Sequence, residues 1–190
     1  MIAPNWELPP LPPTLERLYL QDVGLTSVLG MWGCRGGGGD GEETSPSHST
    51  SPALAHVSIE FCPNLTSLSE LLRHPLTALR MLRILFCGEL QNLTERGFGH
   101  LVSLEELYIS YCPKLNITCS PLLPLPLPSS LERFELERCV DAMGGWWWEG
   151  LHHLTSLTYL SLGGCPTTAA SFFLSLGSHP HHLATTLTEL

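Results

Sequence analysis

One twelve-residue rhythm governs this chain. LEELYISYCPKL, beginning at Leu104, carries apolar residues at Leu104, Leu107, Ile109, Cys112 and Leu115, spaced three, two, three and three. LAHVSIEFCPNL begins at Leu54, LRMLRILFCGEL at Leu79, LERFELERCVDA at Leu131 and LTYLSLGGCPTT at Leu157. LERLYLQDVGL begins at Leu15, and the chain stops inside a seventh unit, LTEL, at Leu187. From Leu54 onward the starts lie 25, 25, 27, 26 and 30 residues apart, and the gap of 39 from Leu15 to Leu54 is one period plus an insertion. Longer echoes keep the same register. LPPTLERLYL (11–20) and LPSSLERFEL (127–136) agree at six of ten positions, and HLVSLEELYISYCP (100–113) and HLTSLTYLSLGGCP (153–166) at seven of fourteen.

The spacing fits neither an amphipathic helix nor a plain alternating strand. It suits a short strand whose middle two aliphatics point inward, flanked by bends that turn further apolar residues the same way. One such unit cannot bury its own apolar face, whereas a stack of them forms a continuous ladder beside a parallel sheet. The LxxLxLxxC pattern has a period in the leucine-rich-repeat range of ~20–29 residues. The expected fold is therefore an α/β leucine-rich-repeat solenoid, a curved horseshoe with a parallel β-sheet on its concave face and irregular or short helical convex segments. Strands are expected near 15–22, 54–62, 79–87, 104–112, 131–139 and 157–165, with a truncated seventh from 187, all within one domain spanning 1–190. Cys62, Cys87, Cys112, Cys139 and Cys165 take the slot where the chain turns away from the strand. A small buried residue with a weak donor suits that slot. Pro follows at 63, 113 and 166, as befits a chain leaving the ladder.

Three stretches interrupt the rhythm. Residues 33 to 52, GCRGGGGDGEETSPSHSTSP, have almost no large apolar side chains to offset ordering entropy, and they read as a disordered insertion. Their GGGG run lacks the GK[ST] and the strand–helix setting of a phosphate cradle. PLLPLPLPSS (121–130) should be extended and irregular, and it reads as the convex side of a unit leading into Leu131 in preference to an SH3-type ligand. SLSELLRHPLTALRML (67–82) is the best short-helix candidate, broken at Pro75.

Composition narrows the function. The formal charge of −9, from nine basic and eighteen acidic residues, argues against nucleic acid or an anionic membrane as the main partner. No apolar run reaches the ~18 residues of a membrane span. The N-terminal MIAPNWELPP shows no basic n-region and no apolar h-region, so no signal peptide is expected. The sequons at Asn64, Asn92 and Asn116 are accordingly discounted as glycan sites. Seven cysteines, with no CxxC pairs, favour reduced thiols in the cytosol or nucleus over a disulfide scaffold. The cysteines fall one per coil and the SHPHHL histidines lack a Cys or carboxylate partner at ligand spacing, so no metal site is expected. No GxSxG, HExxH, Walker or Rossmann pattern occurs, and neither catalytic residues nor a cofactor is expected. Of Trp146, Trp147 and Trp148, one or two should pack beneath the unit at Leu157 while another stays exposed.

The residues between and just after the strand aliphatics should face outward. They gather Phe61, Met81, Arg83, Leu85, Phe86, Glu106, Tyr108, Tyr111, Arg133, Glu135 and Tyr159 on adjacent strands, an aromatic patch bordered by charges. Aromatics of this kind commonly anchor protein contacts. These eleven are the candidate protein-binding residues of the concave face.

LEELYISYCPKL, LTSLTYLSLGGCP and the LPxSLERF lead-in closely resemble the C-terminal repeats of plant intracellular disease-resistance receptors. These are the nucleotide-binding, leucine-rich-repeat (NBS-LRR) proteins, particularly the coiled-coil class of grasses, and the likeness covers nearly the whole chain from Leu8 onward. It implies a non-enzymatic module that recognises a pathogen effector or a guarded host protein and restrains the receptor's own nucleotide-binding (NB-ARC) module. No phosphate-binding loop is present, so nucleotide-binding residues do not carry over. The chain begins inside the repeats and ends within one, and it is expected to be a fragment. The alternatives are the substrate-choosing repeats of an F-box protein and the extracellular repeats of a receptor ectodomain. The latter usually show a leader peptide and an LxGxIP-type signature, and neither is present.

Overall fold

The computed structural model of the protein describes residues 12–28, 53–94, 97–115, 127–139 and 154–164. They form six strands of five residues each: β1 Arg17–Gln21, β2 His56–Glu60, β3 Met81–Leu85, β4 Glu106–Ser110, β5 Arg133–Glu137 and β6 Tyr159–Gly163. The strands lie in sequence order in one parallel sheet, β1-β2-β3-β4-β5-β6, the arrangement of a solenoid. Pairing joins equivalent positions of successive units: Leu18 faces Val57, Val57 faces Leu82, Leu82 faces Leu107, Leu107 faces Phe134 and Phe134 faces Leu160. Sequence register and sheet register are the same thing.

Alternation within each strand sends its second and fourth side chains to the core. Val57, Ile59, Leu82, Ile84, Leu107 and Ile109 have no solvent exposure. Each such side chain is worth about 1.5–3 kcal/mol when fully buried. The remaining leucines of the motif reach the same core through turns. The N–H groups of Leu79, Leu104 and Leu131 close entry turns onto the carbonyls of Leu76, Leu101 and Pro128, and all three leucines are fully buried. At each strand start one carbonyl of the preceding unit takes two N–H groups, as the carbonyl of Ala55 does from Arg80 and Met81. Beyond the strands, the N–H groups of Leu65, Leu90 and Leu115 close exit turns onto the carbonyls of Cys62, Cys87 and Cys112. Pro63 and Pro113 thus occupy the second position of a β-turn, where the fixed φ of proline is favourable. This is a local cause for the Cys-Pro pairs more specific than departure from the ladder.

The one described helix is α1, Ser69–Arg73, with Leu71 and Leu72 buried. His74, at ψ 150°, is extended because the residue before a proline is pushed out of the helical region, so the helix stops ahead of Pro75. Outside the six strands, Ser27 bridges Ser67 and Ser67 bridges Asn92 in parallel, joining the first three units along a second backbone line.

Cys62, Cys87, Cys112 and Cys139 are buried free thiols aligned along the strand-exit edge. Each Sγ lies 3.3–3.5 Å from the carbonyl two residues back, on Glu60, Leu85, Ser110 and Glu137 respectively. Cys62, Cys87 and Cys139 also lie 3.8–4.0 Å from a carbonyl of the preceding strand. Hydrogen bonding to Cys87, together with burial, pushes the Cys62 thiol above its ordinary range. Hydrogen bonding to Cys139 and Cys87, together with burial, does the same for Cys112. The insertion at 33–52, the Trp146–Trp148 run, the SHPHHL histidines, Cys165 and the unit from 187 lie outside the described residues, as do residues 121–126 of the Pro-rich stretch.

Because a thiol must reach water to ionise and react, brief alkylation of the native protein should leave Cys62, Cys87, Cys112 and Cys139 unmodified, whereas denatured protein should take label at all four. Peptide mass spectrometry reads the pattern, and rapid native labelling of all four would contradict the register.

Candidate functional site

The odd positions of each strand face away from the core and form three rows across the sheet. Met81, Glu106, Arg133 and Tyr159 stand side by side in the first row; Arg83, Tyr108 and Glu135 in the second; Glu60, Leu85, Ser110 and Glu137 in the third. A fourth row follows immediately after the strands, and its backbone is unusual. Asp22, Phe61, Phe86, Tyr111 and Arg138 have φ between 49° and 55°, in the left-handed region that non-glycine residues avoid at about 1–2 kcal/mol each. Gly164 continues the row at φ 65°. The conformation keeps the sheet's hydrogen bonding going for one more rung. The N–H groups of Phe61, Phe86 and Tyr111 donate to the carbonyls of Leu85, Ser110 and Glu137, at 2.9–3.0 Å. It also turns the following cysteine into the core.

That turn aligns the large side chains of the fourth row. Phe61 and Phe86 stack with ring centroids 4.7 Å apart and planes within 5°, and Phe86 and Tyr111 stack at 4.5 Å and 19°. These separations match the ~4.7–4.9 Å between strands, so the backbone imposes the stack. The Arg138 guanidinium lies 5.3 Å from the centre of the Tyr111 ring and closes that end by a cation–π contact. Gly164 makes room for it, since a Cβ there would come within 2.9 Å of Arg138 Cγ. The stack remains open to solvent, with Phe61, Phe86 and Tyr111 exposed by 45%, 39% and 38%.

Polar groups border the aromatics. Tyr108 Oη donates to Glu106 Oε2 at 2.5 Å, and Ser110 Oγ to Glu137 Oε2 at 3.2 Å. Arg133 pairs with Glu135 at 3.3 Å while its guanidinium covers the Tyr159 ring at 4.0 Å. Arg83 stands 3.7 Å from Glu60. Pairs this exposed contribute ~1 kcal/mol at most and chiefly orient the side chains. Burial, reinforced by the bond to Glu106, pushes the Tyr108 phenol above its ordinary value of 10.0. An open depression of about 240 Å³ lies among Arg83, Leu85, Phe86, Tyr111, Glu135 and Glu137, with Tyr108 and Ser110 also at its wall.

All eleven candidate residues therefore lie outside the core on one face. Arg83, Leu85, Phe86, Tyr108, Tyr111 and Glu135 come together around the depression, with Phe61 stacked on Phe86. Met81, Glu106, Arg133 and Tyr159 form the row nearest the strand starts. The candidate set omits Arg138 and Glu137, which cap the stack and line the depression. Their position in the repeat marks both as outward-facing, but their contacts with Tyr111 and Ser110 come from neighbouring units and are not visible within one unit. Among the described residues no group of three or more His, Cys, Asp or Glu side chains is placed to hold a metal ion, and no helix is long and apolar enough to cross a membrane. The arrangement offers aromatic surface, hydrogen bonds and fixed charges to a partner. No family model, curated protein or solved structure matches this chain.

Two consequences of this geometry are measurable. Phe86→Ala keeps the left-handed strain and loses two ring stacks of about 0.5–1.5 kcal/mol each. It should destabilise the protein by about 1–3 kcal/mol in urea unfolding. Phe86→Gly loses the same stacks but relieves the backbone, and it should be about 1 kcal/mol more stable than Phe86→Ala, the reverse of the order in ordinary strands. Glycine proving the worse substitution would contradict the left-handed assignment. A second measurement concerns Tyr108. Its raised value means that the folded state holds the phenolic proton where the unfolded chain has lost it. The resulting stability is fully present below pH 10.0 and is lost as pH climbs from there toward the folded-state value. Tyr108→Phe should flatten the alkaline fall in the urea midpoint and remove a late-titrating phenol from the 295 nm absorbance curve.

Proposed function

We propose that this chain is a leucine-rich-repeat recognition module, a horseshoe whose concave face carries the sheet and binds another protein. In this reading it belongs to a plant intracellular receptor of the nucleotide-binding, leucine-rich-repeat class. Its partner is a pathogen effector, a guarded host protein or the receptor's own nucleotide-binding module. The observation that carries the proposal is the exposed Phe61–Phe86–Tyr111 stack, held rigidly on adjacent strands and bordered by Arg83, Glu135 and Arg138. Large aromatics fixed in place lose little entropy on binding, which is why they anchor interfaces. The LxxLxLxxC units, stacked in register, support the repeat class. The depression of about 240 Å³ falls below the ~300–1,000 Å³ of small-molecule sites, which favours a macromolecular partner over a small substrate. A net charge of −9 favours protein over nucleic acid or an anionic membrane. Four free buried thiols favour a reducing compartment, the cytosol or nucleus.

The test is a two-hybrid or co-precipitation screen of effector proteins and nucleotide-binding modules against the wild-type chain and the Phe86→Ala/Tyr108→Ala double variant. Loss of each anchor should cost about 2 kcal/mol, so the double variant should bind at least roughly thirtyfold more weakly, with the circular dichroism spectrum unchanged. A partner held equally by both chains would show that recognition lies elsewhere.

A further inference from the structure

The depression on the outward face has a chemistry of its own. The faces of the Phe86 ring are covered by Phe61 and Tyr111, and the Tyr111 ring is covered by Phe86 and Arg138, so both rings turn their edges toward the depression. Together with Leu85 they make one wall apolar. Glu135 and Glu137, two residues apart on β5, make the other acidic. The existing cations are already engaged, Arg83 beside Glu60 at 3.7 Å and Arg133 with Glu135 at 3.3 Å. Glu137 accepts the Ser110 hydroxyl, and among the described residues no cation lies within ion-pair distance of it. A half-buried carboxylate beside an apolar wall, in a space of about 240 Å³, is complementary to one long side chain with a hydrocarbon stem and a cationic tip.

We propose that this depression receives an arginine side chain from a partner polypeptide, its methylenes packed against Leu85 and the rings of Phe86 and Tyr111 and its guanidinium bound by Glu137, with Glu135 adjacent. The proposal rests on the reading of this face as a protein-recognition surface and names what that surface selects. Arginine fits better than lysine because its planar fork can meet a carboxylate with two donors and is less strongly hydrated.

The experiment is selection of a random twelve-residue peptide library on the immobilised full chain, with parallel selections on Glu137→Gln and Phe86→Ala. Peptides enriched on the wild type should share an arginine at one position. Replacing that arginine with the neutral isostere citrulline should weaken binding about tenfold on the wild type and leave binding to Glu137→Gln unchanged, because the two changes remove the same contact. Urea midpoints confirm that both variants fold. Enriched peptides that depend on Phe86 but share no arginine, or that ignore Glu137, would overturn the arginine site while leaving the recognition surface standing. Enrichment of no peptide, or of peptides indifferent to Phe86, would remove the recognition reading along with it.

Discussion

Everything in this fold depends on one unit lying on the next at the separation of hydrogen-bonded strands. No unit buries its own Leu-x-Leu pair, and each strand of five residues is too short to persist alone. Stacking pairs Ile59 with Ile84 and Ile84 with Ile109, and the core becomes a set of parallel columns. The same repeat brings the thiols of Cys62, Cys87, Cys112 and Cys139 into line, and it brings the N–H groups at the starts of β2 to β6 to a carbonyl of the unit before. Because contacts run only to neighbours, stability is close to a sum over units and interfaces. A defect in one column weakens two interfaces directly.

The strand exit is where backbone strain and side-chain stacking meet. Turning the cysteine inward requires a left-handed residue before it, and glycine would fill that position most easily. Three consecutive units instead carry Phe61, Phe86 and Tyr111 there, accepting steric strain that ring stacking offsets. The result is an exposed aromatic edge that packing of the core does not require. Strained backbone supporting a solvent-facing group is a common mark of functional surface. Where no aromatic follows, the row ends in Arg138 and then Gly164, the latter too small to displace the guanidinium.

Charge on the outward face is arranged by the strand ladder as well. Ser110 reaches Glu137 across β4 and β5, Arg83 approaches Glu60 across β2 and β3, and Arg133 covers Tyr159 across β5 and β6. Such pairs add little to stability in water. Their effect is to hold side chains in fixed places, so that the outward face presents an ordered pattern of aromatic edges and carboxylates.

Much of this was legible in the residues alone. Leucines at three-two-three spacing, repeated every 25 to 27 residues between Leu54 and Leu157, determined which side chains enter the core, the parallel order of the strands and the burial of Cys62, Cys87, Cys112 and Cys139. Periodicity also separated the outward residues from the inward ones, because a strand alternates faces with a period of two. What periodicity could not express is the geometry of residues that fall outside the alternation. Phe61, Phe86 and Tyr111 share a repeat position, yet nothing local to FC or YC reveals a positive φ or a stack, since aromatics rarely adopt that conformation unaided. The partner for each ring lies about 25 residues away, brought into contact only when neighbouring strands pair. The association of Glu137 with Ser110 and the Tyr111 ring likewise depends on the register between β4 and β5. The sequence by itself determined the columns of the core, because burial follows a pattern that each unit carries within itself. Only the tertiary structure decided the surface, because its contacts join residues that meet solely through the stacking of one unit on another.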